Sequence, residues 1–265
     1  MIRIEGIRIQ NFRTLKDISL GRLFGSTNTD PLSPLTVVIG KNGVGKSSLF
    51  DAFGFLYDCL RFGVEEACNA RQRGGYMKLH TLNQEGPITF EISYKDSSEQ
   101  TSFCYQLCID LDSRSRPFIV SESLKQASQD PLSHKSYSFL ILKSGKGIAW
   151  KESYQGIDES QEAGKFEELL RQTDGKDCSV LPEVERVELD DARKLGLATM
   201  GALKQHPRIS AFKNYIEDWH INYFTPTAAR SLFFEGPQKH LNIHGDNLGN
   251  IVPYMEREYP ENFQQ

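Results

Sequence analysis

Lys46, Ser47 and Ser48 follow directly on a loop with glycines at positions 40, 43 and 45, completing the spacing G-x-x-x-x-G-K-[ST] at Gly40, Gly45, Lys46 and Ser47. That set of residue types binds phosphate. Glycines let the backbone take positive φ and approach an anion closely. The N–H groups of the loop Gly40, Asn42, Gly43, Val44 and Gly45 can then converge on phosphate oxygens at the positive end of the following helix. Lys46 is placed to bridge β- and γ-phosphates, the Ser47 hydroxyl to take one position on an octahedral Mg²⁺, and Ser48 with its N–H to reach the α-phosphate. If the γ-phosphoryl group passes to water, Lys46 and the Mg²⁺ ion on Ser47 are the groups that stabilise the developing charge.

Such a loop works only between a strand and a helix. Thr36, Val37, Val38 and Ile39 form a β-branched run that predicts the strand, and Leu49, Phe53, Leu56, Tyr57 and Leu60 mark an apolar stripe that predicts a helix over 46–62. Upstream, Ile2, Ile4, Ile7 and Ile9 alternate with polar residues around Gly6, a bulged strand, and Leu15, Ile18 and Leu20 predict a second short one. Residues 24–34 are dense in turn formers and read as an exposed loop. Two strands ahead of the phosphate loop exclude the small-kinase order, in which that loop ends the first strand. A guanine-reading N-K-x-D segment is also missing from the sequence, which sets a GTPase aside.

The order strand, N-F-R-T-L-K-D at residues 11–17, strand, then V-V-I-G-K-N-G-V-G-K-S-S-L-F-D-A at residues 37–52 resembles the ABC-like ATPase heads of SMC, RecF and OLD type. Asn42 inside the loop and the Asp51-Ala52 pair after it carry most of that resemblance, which runs from Met1 to Gln265. It implies an α/β fold, a P-loop NTPase of the ABC/SMC-head type with a mixed sheet, an antiparallel β lobe and a helical segment. ATP and Mg²⁺ are the implied cofactors. Arg13, with Asn11 nearby, is by resemblance a contact to adenine, ribose or phosphate. A similar Arg-Gly-Gly segment links the helix to a β-rich lobe in that family; here the stretch is NARQRGGYMKLH at 69–80, whose Arg71, Arg73 and Lys78 could touch phosphate, DNA or the opposing subunit and otherwise read as a solvated loop.

From Pro87 to Trp150 the period is two, and the segments ITFEISYK, TSFCYQLCIDLD, RPFIVSESLKQ and SYSFLILKSGKGIAW predict an antiparallel meander. Asp110, after Leu107-Cys108-Ile109, is not a Walker B aspartate on this reading, because a buried parallel strand is apolar on both faces and here polar residues alternate. Residues 151–190 read as a mobile acidic insertion. Two helices split at His206-Pro207 follow over 190–219, and Asp246 or Asn247 can cap a helix after Gly245. The domain organisation expected is a nucleotide-binding core at 1–86, the β lobe at 87–150, the insertion at 151–190 and a helical segment at 191–265 leading to an absent C-terminal half. The signature segment, Walker B acid, adjacent glutamate and switch histidine of a complete head are not visible in the sequence.

Composition narrows the function further. The chain has 265 residues, net charge −4, 38% hydrophobic and 25% charged residues. No global basic footprint points to nucleic acid, so DNA contact would need a local patch or a partner. No apolar run approaches the ~18 residues of a membrane span, and the N-terminus lacks a secretory signal, so a cytoplasmic protein without membrane contact is expected. Five cysteines without C-x-x-C spacing argue for reduced, structural thiols. Of the histidines, His240 and His244 have i, i+4 spacing but flank a loop, so packing is the expectation and a metal is not. The resemblance implies a head-to-head homodimer in the full-length protein, coupled to DNA or an effector nuclease. The alternative is a binding module that holds ATP without turning it over.

Overall fold

The computed structural model describes residues 2–26, 29–97, 101–128, 136–151, 157–158, 184–222, 236, 238–239, 241–242 and 245–263. They divide into two compact units, Met1–Asp218 and Trp219–Gln265. In the first, nine strands form one sheet: β1 Ile2–Phe12, β2 Leu15–Gly21, β3 Ile88–Asp96, β4 Thr101–Leu111, β5 Pro117–Ala127, β6 Ser136–Lys143, β7 Lys146–Trp150, β8 Ile157–Asp158 and β9 Val184–Glu188. The order is β2-β1-β3-β4-β5-β6-β7-β9, with β8 paired to β6. Five helices accompany them: α1 Lys46–Phe62, α2 Val64–Asn69, α3 Tyr76–Leu79, α4 Gly196–Met200 and α5 Pro207–Glu217.

Alternation decides which way the sheet faces. Ile7 and Ile9 of β1 are buried with Ile88, Phe90 and Ile92 of β3 and Tyr105, Leu107 and Ile109 of β4. On the opposite side Arg8 reaches outward to Asp17 of β2 at 2.7 Å. The apolar face receives α1, and the joint is aromatic: the Phe12, Phe55 and Phe90 rings lie 5.4 to 5.8 Å apart, centroid to centroid. Burial of each such ring is worth about 1.5–3 kcal/mol, so this triad fixes the helix that carries the phosphate loop against β1 and β3. The bulge expected at Gly6 is present as a register shift between Ile4 and Gly6. Its cause is close approach, since a Cβ there would lie within 2.5 Å of the Arg22 backbone.

The sheet differs from the expected mixed one: every described pairing is antiparallel. The reason is the run before the phosphate loop. Residues 35–40 are not in a strand, and Leu35, Val37 and Ile39 are 81%, 73% and 86% exposed. The β-branched composition is there, but a strand is defined by its ladder, and no described strand lies alongside. Within the stretch expected to be an acidic insertion, β8 and β9 are strands, while residues 152–156 and 159–183 lie outside the described residues. The helices split at His206-Pro207 are observed as α4 and α5, with Pro207 at the first position of α5.

The second unit holds α6 Leu248–Glu258 and α7 Pro260–Phe263. Asn247 stands at the start of α6 as expected, but its side chain does not cap the helix. Its carbonyl oxygen accepts from the Asn242 N–H at 2.8 Å instead.

Candidate functional site

The loop from Gly40 to Ser47 leads straight into α1. Gly43 and Gly45 adopt φ of +83° and +102°, the left-handed region that side chains resist. Gly45 is also pressed from behind: a Cβ would lie 2.8 Å from Leu15 Cδ2 and 3.0 Å from Thr14 Oγ1. Nothing lies within 4 Å of a Cβ at Gly43. The Gly45 carbonyl accepts the first helical bond, from the Leu49 N–H at 2.9 Å. Lys46 Nζ donates to the Gly40 and Lys41 carbonyls at 2.7 and 2.8 Å, so its charge folds back across the loop. Asn42, Val44 and Ser47 are exposed, whereas Ser48 is buried with its hydroxyl 3.0 Å from that of Thr14. An open mouth, two left-handed glycines and a lysine resting on carbonyls that phosphate oxygens would replace fit a nucleotide triphosphate.

Behind the loop lies an ionic ladder. Asp51 and Asp58, seven residues apart on one face of α1, are both buried. The buried Arg73 spans them, its Nε donating to Asp51 Oδ1 at 3.0 Å and its Nη1 to Asp58 Oδ2 at 2.6 Å and to the Ala67 carbonyl at 2.9 Å. Its guanidinium also lies 5.5 Å from the Phe55 ring centre. Arg71 Nε donates to Asp58 Oδ2 at 2.8 Å, and Arg13 Nε meets Asp51 Oδ2 at 2.7 Å.

The basic stretch expected to be a solvated loop is thus largely an internal brace, because two carboxylates buried on α1 require cations beside them. Only Lys78 of the three basic residues is exposed. Arg13 lies beside the first turns of α1, partly open to solvent. Asn11 does not accompany it, since its side-chain amide donates to the Glu85 and Pro87 carbonyls, both at 3.0 Å.

Sequence reasoning missed Thr14, Asp58 and Glu122. For Asp58 the i, i+7 repeat with Asp51 is a usable signal; for Thr14 and Glu122 no local pattern exists. The Glu122 carboxylate, wholly buried, accepts from the Tyr105 hydroxyl at 2.9 Å and from the Gly196 and Leu197 N–H groups at 2.6 and 2.9 Å. Burial nonetheless pushes its pKa up to about 7, against the pull of those three donors.

Asp110 belongs to antiparallel β4 and accepts from the Leu111 N–H at 2.8 Å and, more weakly, the Tyr76 hydroxyl at 3.4 Å. His206 is buried between the Trp150 carbonyl and Glu185, both at 3.0 Å. No cluster of metal-ligating side chains occurs among the described residues; His240 and His244 lie outside them. Cys59 and Cys68 are buried free thiols and Cys104 is buried, and burial pushes Cys68 up to about 12, which leaves it protonated and unreactive. Cys178 is not among the described residues. No described helix is long and apolar enough to cross a membrane.

A glycine loop at a helix mouth, with lysine and two serines in sequence and a sheet-anchored helix behind it, fits the phosphate-loop class of nucleotide-binding domains. The family model for the AAA ATPase domain matches residues 2–185, and the chain belongs to that family. It is also 26% identical over 197 residues to structural maintenance of chromosomes protein 3 of Caenorhabditis elegans, covering 73% of this chain and 14% of that protein. The chain is accordingly an AAA-family ATPase domain related to the SMC proteins, and it spans about one seventh of this curated relative.

Proposed function

We propose that this chain binds ATP with Mg²⁺ at the Gly40–Ser48 loop as part of an ABC/SMC-type head. The supporting observation is the geometry of that loop: φ of +83° and +102° at Gly43 and Gly45, directly ahead of Lys46, Ser47 and Ser48 at the N-terminus of α1. Lys46 would leave the Gly40 and Lys41 carbonyls for the β- and γ-phosphates, and the exposed Ser47 hydroxyl is the group for one Mg²⁺ position. Arg13 would contribute a charge at the nucleotide from the β1–β2 turn. In a completed, head-to-head homodimer in the cytoplasm, hydrolysis would be coupled to DNA or to an effector nuclease, in genome maintenance or antiphage defence. The four-part division at residues 86, 150 and 190, with a further C-terminal half completing the sheet, belongs to the same proposal. The exposed Leu35, Val37 and Ile39, with half-buried Val38 among them, favour it, because a run apolar at successive positions is suited to the middle of a parallel sheet.

A second reading, a module that binds ATP without turnover of its own, is favoured by Asp110. The one acid weighed for a Walker B role lies on an antiparallel strand and is engaged by Leu111 and Tyr76. The deciding experiment is equilibrium binding and turnover of ATP with Mg²⁺, beside Lys46→Ala, with solution mass followed in parallel. Binding that falls by at least about ten-fold in the variant, without turnover, is the expected result for the chain alone. Unaltered binding in Lys46→Ala would overturn the assignment of the loop, and robust turnover would place a catalytic carboxylate within this chain.

A further inference from the structure

We infer that Thr14 is a nucleotide-positioning residue, whose hydroxyl holds the Ser48 hydroxyl in place for the α-phosphate. The inference rests on the reading of the loop as an ATP site. Thr14 Oγ1 is 3.0 Å from Ser48 Oγ and 3.0 Å from the place a Gly45 Cβ would occupy, so it bonds to Ser48 and stands over the bare Cα of Gly45. A serine in a helix is otherwise free to turn its hydroxyl back on a carbonyl of the preceding turn. A partner supplied by another element removes that choice: with the Thr14 hydroxyl donating to Ser48 Oγ, the Ser48 O–H and N–H are both left to donate to a phosphate oxygen.

The turn carrying Thr14 is itself immobilised. The Arg13 N–H donates to the Leu79 carbonyl at 2.5 Å, the Thr81 N–H to the Asn11 carbonyl at 3.1 Å, and the Arg13 guanidinium rests on Asp51. Asn11 and Arg13 adopt φ of +57° and +52°, positions unusual for residues with side chains, on either side of buried Phe12. Backbone held in this region by several outside bonds is characteristic of positions where geometry matters to function. Thr14 is nevertheless exposed, so the turn that carries it lies at the surface. The arrangement fixes a contact before the ligand arrives, which is how a supporting shell contributes to binding.

The test is Mg²⁺-dependent ATP and ADP affinity by calorimetry for the wild-type chain, Thr14→Val, Thr14→Ser, Ser48→Ala and the Thr14→Val/Ser48→Ala double variant, with unliganded melting followed for each. Because the α-phosphate is common to both nucleotides, Thr14→Val should weaken ATP and ADP by the same factor, about three- to ten-fold, the worth of one hydrogen bond. Thr14→Ser should restore binding to within about two-fold. In the Ser48→Ala background Thr14→Val should add nothing, since the two hydroxyls act as one unit. Unchanged affinity in Thr14→Val, or losses that add in the double variant, would sink the inference while nucleotide binding lost in Lys46→Ala still upheld the site itself. A wild-type chain that binds neither nucleotide would remove both.

Discussion

Glu122 shows how a side chain far from the phosphate loop in sequence sets a condition on the whole first unit. Its carboxyl is buried where β5 meets the start of α4, and burial raises its pKa from 4.5 to about 7. Below about pH 4.5 it is protonated whether the chain is folded or not. Between there and about 7 the folded chain keeps a proton the unfolded chain has released, so this residue's contribution to stability falls as pH rises through that window. Above it the carboxylate stays buried at a cost on the order of 3 kcal/mol. Glu122→Gln should flatten that part of the pH profile, which melting at pH 5 and pH 8 would read; an unchanged pH dependence would show that Glu122 is not the titrating group. The Gly40–Ser48 loop was legible in sequence because its spacing is local. Thr14 and Glu122 were not, because their partners stand 34 and 74 positions away.

At the scale of elements, α1 is held by two different kinds of contact, the aromatic triad on its apolar side and the ionic ladder through Asp51 and Asp58. Removing the central rung leaves both carboxylates buried with only Arg13 and Arg71 beside them. Arg73→Met should therefore cost about 3 kcal/mol, near the lower end for breaking a buried pair, as measured by urea unfolding. A loss under about 0.5 kcal/mol would mean that the ladder is dispensable.

Periodicity made α1, β1 to β7 and the break at Pro207 readable, since each places apolar residues on one face at the element's own repeat. The strand Val184–Glu188 escaped notice because its five residues, mostly charged, show only Val187 buried. Thr36–Ile39 failed in the opposite sense. Composition announced a strand, but only a neighbour can make one.

For the molecule as a whole, that run is an exposed apolar segment with no described strand beside it. Because Val37 and Ile39 touch so little, Val37→Thr with Ile39→Thr should leave the melting temperature nearly unaltered, within about 0.5 kcal/mol of stability, while reducing self-association in sedimentation. Marked destabilisation would show that the run is packed in solution. The order of strands also bears on how the protein is made. β1 pairs with β2 on one side and β3 on the other, Ile2 lying opposite Asp96, and the phosphate loop and α1 fall between β2 and β3 in the chain. As the polypeptide leaves the ribosome, the first hairpin can form at once, but the strand that closes the platform beneath α1 arrives some seconds later. Throughout that interval the loop and its helix are synthesised but have no floor, and the nascent chain exposes Phe55 and the apolar run together, the kind of surface that chaperones engage.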